Sequence, residues 1–500
     1  MTAVIDTDWE IEAEFAGVGV GWTPVTRDIL LAAGIKVSYG MRDGWPTGLM
    51  ADVGTLLCSL NNSQANSMSR LGLYTLGGAV CRGGFDYGMR FRFLLDGEVR
   101  FVGRLKEAPP TPGAYGDRDV RCRVVDWMGE AESWPTRGLP TQTAIRADQI
   151  VTAVVDAMPI QPQARSFDAG SDLFAYWASS NGTAGTELGD AVQSEMGRLY
   201  ELGGTLTFEA RHRRRNLTPQ FVLDNSPYID FDPGGSYQSE NVKTRVETTV
   251  HPLTVDPALV ILYTHQDKTY VAPGASVEIV CEYTNPTEKA ARISGASIVT
   301  PAQGTDFFAN TRADGLGIGM GGNLTVEIEP GGSSATVTLT NIHATVGLYV
   351  TTLRIRGFGV YDQSSVKCPS VASAAERAKY GENTVNIDLK FHSSATFGKA
   401  VSSGVRSFMG TPRLWNGTFR FCANTNTDLM AKARTANIST CFQYREDVTG
   451  ISNWIINAVD LEVDSGNLLW VTWHCEPADL THYWMLGEDV LGTGTIPAPF

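Results

Sequence analysis

The stretch His474-Cys475-Glu476, with His482 close behind, is the part of the sequence nearest to chemistry. A thiolate beside a histidine base is a nucleophile, and the same donors can hold a metal. Leu469-Trp-Val-Thr-Trp-His474, however, alternates like a strand and sends His474 and Cys475 to opposite faces, so a structural role outweighs a catalytic one. The other histidines, at 212, 251, 265, 343 and 392, are scattered, and no GxSxG, HExxH, P-loop, EF-hand or CxxC pattern occurs.

Two glycine runs match phosphate-binding patterns in form only. Gly317-Ile-Gly-Met-Gly-Gly322 leads into the strand-like Leu324 to Ile328, and Gly17-Val-Gly-Val-Gly-Trp22 leads to Pro24, whereas phosphate binding needs a helix N-terminus at that place. The acid pairs Asp117/Asp119 and Glu130/Glu132 resemble a glycosidase pair in type, but acids two apart on a turn or strand are mostly solvated. Arg211-His-Arg-Arg-Arg215 is the one basic run, and its expected role is a strand-end patch facing a neighbouring subunit's acids. The sequence assigns no catalytic, cofactor-binding or metal-ligating residue, and no cofactor. No hydrolytic activity is expected, because no nucleophile, base and orienting group share a context.

The elements that would position these residues are mostly strands. Trp9 to Phe15, Ile35 to Tyr39, Gly54 to Leu60, Phe85 to Leu95, Val99 to Lys106 and Val120 to Asp126 alternate or run apolar, and Asp96-Gly97 is a type I′ hairpin turn. Asp148 is placed to cap a helix carrying Ile150, Val151, Val154, Val155 and Met158, which Pro159 ends. A second helix is expected over Thr186 to Tyr200, followed by a strand over Thr205 to Ala210. Alternating strands at Val277 to Tyr283, Leu324 to Ile328, Ala335 to Leu339 and Tyr349 to Ile355 read as an inserted sandwich. Ser373-Ala-Ala-Glu376 is a capping box for a short helix stopped by Gly381, Thr384 to Leu389 resumes as a strand, and the last 120 residues are expected to be β structure.

The predicted fold is therefore mainly β with a small α/β part. Its expected organisation is a first β-barrel over 1–140, a small helical domain with a hairpin over 141–215, a second barrel split between 216–265 and 365–500, and an immunoglobulin-like β-sandwich inserted at 266–364. At 500 residues the chain is long enough for three or four domains of the usual size.

Forty Lys and Arg against 54 Asp and Glu give a net charge of −14, which disfavours gripping a phosphate backbone. Mean hydropathy is −0.10, and the longest apolar stretches, such as Ala258 to Tyr263, fall far short of a membrane span, so no membrane segment is expected. The N-terminus lacks the basic and apolar regions of a signal peptide, and the eight cysteines contain no close pair, so reduced thiols made in a cytoplasm are expected.

Several stretches, taken in order, resemble the tail-tip hub (baseplate-hub-like, tail-associated) proteins of long-tailed bacteriophages. Trp9 to Phe15, Trp22-Thr-Pro-Val-Thr26 and Gly54 to Ser63 look like the opening strands of such a hub, and Phe101 to Leu105 through Gly113-Ala-Tyr-Gly116 to Val125-Asp-Trp-Met128 like its closing strands. Leu188 to Val192 followed by Leu206 to Arg211 is similar to the family's small helical domain. Ala375 to Glu382 is similar to a Tyr-Gly turn before a strand of the second barrel, and Tyr483-Trp-Met-Leu-Gly487 resembles the closing tail. The sandwich at 266–364 departs from that pattern.

The resemblance implies a virion protein at the tail tip, made in the host bacterial cytoplasm and assembled as a homotrimer of paired barrels with pseudo-sixfold symmetry. It implies a ring that closes the tail tube, contacts tube proteins and fibre or receptor-binding proteins, and lets genomic DNA pass its lumen without specific binding. The competing reading is a receptor- or glycan-binding tail protein that meets host-surface glycan through the sandwich insert, with Trp and Tyr platforms. A hydrolase is the third class.

Overall fold

The computed structural model describes residues 8–478 except for the short segments 113–117, 137–138, 140, 180–181, 216, 225–227, 235–237, 289–290, 363, 413–415 and 447–449, together with the backbone of the Tyr483–Trp484 and Ile496–Pro497 strands. Asp117, the Gly113–Gly116 turn, His482 and most of the Tyr483–Gly487 stretch lie outside the described residues. The protein is mainly β, with six α-helices among the described residues. No helix among them is long and apolar enough to cross a membrane.

Thirteen strands form one sheet that draws on both ends of the chain. Its path runs Ile229–Asp232, Gly417–Cys422, Leu469–Pro477, Gly450–Val463, Ile35–Gly40, Asp52–Asn61, Asp119–Val125, Glu98–Glu107, Arg90–Leu95, Trp9–Ala13 and Thr23–Pro24. Cys441–Glu446 and, through it, Val222–Asp224 branch from Gly450–Val463. The Asp96-Gly97 hairpin forms as its sequence requires, with both residues at positive φ, 54° and 76°.

The two halves meet where Ile35–Gly40 pairs antiparallel with Ala458–Val463 of Gly450–Val463, from Val463 opposite Ile35 to Ala458 opposite Gly40. Gly40 has φ +105°, and a Cβ there would sit 2.4 Å from the Asn457 carbonyl oxygen, so only glycine lets the two backbones close. One apolar core, including Ile11, Leu56, Phe93, Phe419, Trp454 and Trp473, lies against both halves.

This corrects the expectation of two separate barrels at 1–140 and at 216–265 with 365–500. Strands from both stretches share the thirteen-stranded sheet, the other strands of 216–265 and 365–500 that pair apart from it notwithstanding, and the pairings among the described residues do not close into a barrel. Alternation reveals which face of a strand is buried, but not which strand lies beside it.

A second core unites the helical unit with part of the C-terminal half. Helices Trp127–Ser133, Ala147–Ala157 and Ala184–Glu195 pack with the hairpin Arg198–Leu202/Thr205–Glu209. Beside them the sheet Val366–Val371/Arg245–Val250/Thr384–Leu389 carries the helix Ala395–Met409. Asp148 stands in the first turn of its helix and not at the cap: it pairs with the N-cap Arg146 and accepts the Gly170 N–H.

Helices Ala395–Met409 and Thr427–Thr435 occupy a region read from sequence as β. In the first, Ser394 caps the Phe397 N–H while Val401, Val405 and Met409 repeat every fourth residue toward the core. Interspersed Ser and Gly mask that stripe, since neither favours a helix interior.

The insert is an excursion between two paired strands. Val250 and Val366 are cross-strand partners, so the chain leaves and returns at adjacent positions. Between them a three-stranded sheet, Ser276–Glu282/Ser334–Asn341/Leu324–Pro330, shares a core with strands gathered on the long Leu348–Asp362 strand. Leu253–Val255 and Val260–Thr264 also pair with that long strand, so the excursion begins earlier than the expected 266.

Its apolar contact with the helical unit is small, centred on Tyr176, Ala296 and Val360. Replacing residues 252–364 with a short Gly/Ser turn is therefore expected to leave the remainder folded, because partners in an antiparallel pair are only about 5 Å apart. Size-exclusion chromatography and thermal unfolding check this. An aggregated product would show that the host needs the insert.

Candidate functional site

The basic run lies in the turn after the Thr205–Glu209 strand, and the structure folds it inward. Arg211 and Arg214 are 7% and 5% exposed. Arg211 pairs with Asp172, lies 3.5 Å from Glu195 Oε1, and stacks 4.9 Å from the Phe397 ring centroid. Arg214 Nε donates to Glu209 Oε2 at 2.7 Å, and its Nη1 reaches Glu476 Oε1 at 3.1 Å and Asn457 Oδ1. Arg213 alone of these three arginines points outward, 3.9 Å from Asp168. The expectation that the run faces a neighbouring subunit's acids is corrected for Arg211 and Arg214: their acids belong to the same chain.

Arg198 completes the junction by donating to Glu476 Oε1. Tyr200 Oη and Ser439 Oγ both donate to Glu209 Oε1. Arg198 and Arg214 thus face Glu209 and Glu476, two charges against two, all buried. Burial works to raise both carboxyls, but the arginines outweigh it and hold Glu209 and Glu476 below the ordinary glutamate value. His212, beside them, is pushed down to about 4 by burial and by Arg215 and Arg211.

A register shift makes this geometry. Gly450–Val463 bulges at Asn457, between Ile456 and Ala458, which turns Asn457 toward Arg214. Opposite, the alternation of Leu469–Pro477 breaks, so Cys475 and Glu476 are both buried. The junction thereby ties the helical unit's hairpin to two strands of the large sheet.

Serine, aspartate and histidine do meet, on the outer face of that sheet. Asp460 Oδ1 accepts from Ser38 and lies 2.6 Å from Arg42 Nη2, while Asp460 Oδ2 lies 2.8 Å from His474 Nε2. Nucleophile activation needs the histidine between hydroxyl and carboxylate. Here the carboxylate is in the middle, so His474 cannot take the Ser38 proton. Burial tends to raise Asp460, yet hydrogen bonds from His474 and Ser38 and the charge of Arg42 pull it down to about 2. Cys475 is buried on the other face, as the strand pattern required.

The remaining candidates do not converge. Asp119 lies 3.6 Å from Arg121, and Glu130 is paired with Lys106 at 2.5 Å. The Gly317–Gly322 run is a loop whose Gly317 carbonyl, like that of Gly315 before it, accepts from Asn310 Nδ2, and it passes through a single 3-10 turn into a strand. Among the described residues no three His, Cys, Asp or Glu side chains are grouped to hold a metal. Sequence reasoning missed Glu209, and it singled out Glu476 beside His474 and Cys475 without its pairing to Arg198 and Arg214. The one local signal of these two glutamates is an acid at a strand position whose neighbours are apolar or aromatic, as in Leu206-Thr-Phe-Glu209.

No family model matches the chain, and no curated protein matches it. Solved structures do. The 43 kDa tail protein of prophage MuSo2 from Shewanella oneidensis is 9% identical with a TM-score of 0.47, over 94% of this chain and 99% of that one. A tail protein from Neisseria meningitidis MC58 is 8% identical with a TM-score of 0.47, over 94% and 96%. Prophage tail protein gp18 from Listeria monocytogenes EGD-e is 8% identical with a TM-score of 0.43, over 94% of both chains. Along 94% of its length the chain is similar to these tail proteins.

Proposed function

We propose that this chain is a structural, non-enzymatic subunit of a bacteriophage tail tip, forming the hub ring that closes the tail tube and joins it to fibre or receptor-binding proteins. The observation that carries the reading is the thirteen-stranded sheet shared by both halves of the chain. It ends on Ile229–Asp232 at one side and on the two-residue Thr23–Pro24 at the other, each with one partner strand among the described residues. The branch strand Val222–Asp224 likewise has one partner strand among the described residues, and a long sheet with such open ends is a wall segment that neighbouring copies complete, which removes edges that would otherwise aggregate.

The order of hub-like stretches in the sequence supports the same reading, and the net charge of −14 suits a lumen through which DNA slides without sticking. The buried charge junction ties the helical unit to the wall. In this reading three chains, each contributing two wall sections, match a sixfold tube.

A second reading, a glycan-binding tail protein, is favoured by Tyr270 and Tyr349 on the insert, whose rings lie 5.0 Å apart with Tyr270 49% exposed. Native mass spectrometry and electron microscopy of the purified chain separate the two. The hub reading expects a closed ring of three copies burying more than about 2,000 Å² per contact. A chain that stays monomeric and binds host polysaccharide overturns it in favour of the second.

A further inference from the structure

Two carboxyls line a small recess where the large sheet meets the helical unit. Asp126 follows the Asp119–Val125 strand and precedes the helix Trp127–Ser133, and Glu201 stands on the Arg198–Leu202 strand. They are 4% and 7% exposed. Both border a recess of about 30 Å³, room for a water or two. Glu201 Oε2 accepts the Trp127 N–H at 2.6 Å, whereas Asp126 Oδ1 has no hydrogen-bond partner.

The charged groups around the recess are engaged elsewhere. Arg90 binds Glu14 with its Nη2 at 2.7 Å, Arg104 donates to the Gly88 carbonyl at 3.2 Å, and Glu130 takes Lys106 at 2.5 Å. Gln161 and Gln163, from the segment after the Ala147–Ala157 helix, are neutral. Two ionised carboxylates buried at one recess, with the arginines around it bonded to other groups, would carry both the desolvation cost and mutual repulsion.

We propose that Asp126 and Glu201 hold one shared proton at neutral pH, and that its loss at higher pH loosens the seam between the sheet and the helical unit. Burial supports this direction. It pushes Asp126 up to about 7 despite the N–H groups of Gly54, Gly129 and Met128, and Glu201 is driven well above the carboxylate range by burial and by Asp126. The sign follows from linkage: an acid raised in the folded state stabilises least once pH exceeds its folded value, and the loss begins at the unfolded value near 4. The proposal stands apart from the tail-hub reading, since it concerns only how two units of one chain are held.

Thermal and urea unfolding of full-length Asp126→Asn test it. The variant is expected to be more stable than the parent, with a fold decrease in unfolding constant about tenfold or more larger near pH 8.5 than near pH 5. A gain equal at both pH values, or no gain, overturns the proposal. If Asp126→Asn does not fold, Glu201→Gln carries the same readout, because its amide oxygen can still accept the Trp127 N–H. The double variant is expected to add nothing beyond either single one, and additive gains would show that the two carboxyls do not share a proton.

Discussion

Arg214→Ala is expected to destabilise the protein by at least about 3 kcal/mol, because removing one partner of a buried ion pair leaves its carboxylates uncompensated. Arg214 touches Glu209, Glu476 and Asn457 together, so its loss strips charge from both sides of the junction. Arg198 keeps one bond to Glu476, and Tyr200 and Ser439 keep Glu209 partly satisfied, which holds the cost near the lower end of the range. The neighbouring Arg213 side chain, 61% exposed, is the internal control: Arg213→Ala should cost no more than about 0.5 kcal/mol. Chemical denaturation of both variants checks this, and equal effects would mean that the run acts through general charge and not through the junction.

The same junction sets an acid limit. Glu209 and Glu476 are depressed in the folded state, so their contribution is complete above the unfolded glutamate value near 4.3 and is lost as pH falls through the folded values. Asp126 and Glu201 have the opposite sign, gaining as pH falls. Arg214→Ala should therefore flatten the acid side of the stability profile and leave the alkaline side unchanged.

Local features were legible in the sequence wherever one residue type fixes a backbone conformation. The Asp96-Gly97 turn and the Ser373/Glu376 capping box form as read, because positive φ and reciprocal cap bonds depend on neighbours only a few positions away. The meeting of Ile35–Gly40 with Gly450–Val463 was not legible. More than 400 positions separate the strands, and neither carries a mark of the other except Gly40, whose need for close approach shows only once Asn457 is beside it. The junction failed to show for a related reason: Arg211–Arg215 reads as a strand-end patch facing a neighbouring subunit's acids, and the bulge at Asn457, which lies at the junction, has no local signature. The Ala395–Met409 helix was hidden by composition, its apolar stripe being diluted by Ser and Gly.

Trp473→Ala is expected to cost about 3–5 kcal/mol, the usual range for truncating a large buried aromatic. The indole is fully buried, with Phe421 at 4.9 Å, Phe442 at 5.6 Å and Phe221 at 5.9 Å between ring centroids. Its Nε1 has no hydrogen-bond partner, an unsatisfied donor that itself costs about 1–3 kcal/mol. Trp473→Phe should then be far milder than Trp473→Ala, since it deletes that donor while keeping a ring in the cluster. Trp454, equally buried, differs in one respect: its Nε1 donates to Ser452 Oγ at 2.8 Å. Trp454→Phe gives up that bond and should cost more than Trp473→Phe, a ranking that urea unfolding reads directly; the reverse order would show that ring volume and not donor satisfaction governs the cluster. Trp454 also supports Phe231, which stacks on Phe419 at 4.6 Å and belongs to the end strand Ile229–Asp232. Weakening this aromatic cluster is thus expected to loosen the end of the sheet first, so that the ring proposed for this chain would fail to assemble under conditions in which the chain is still folded.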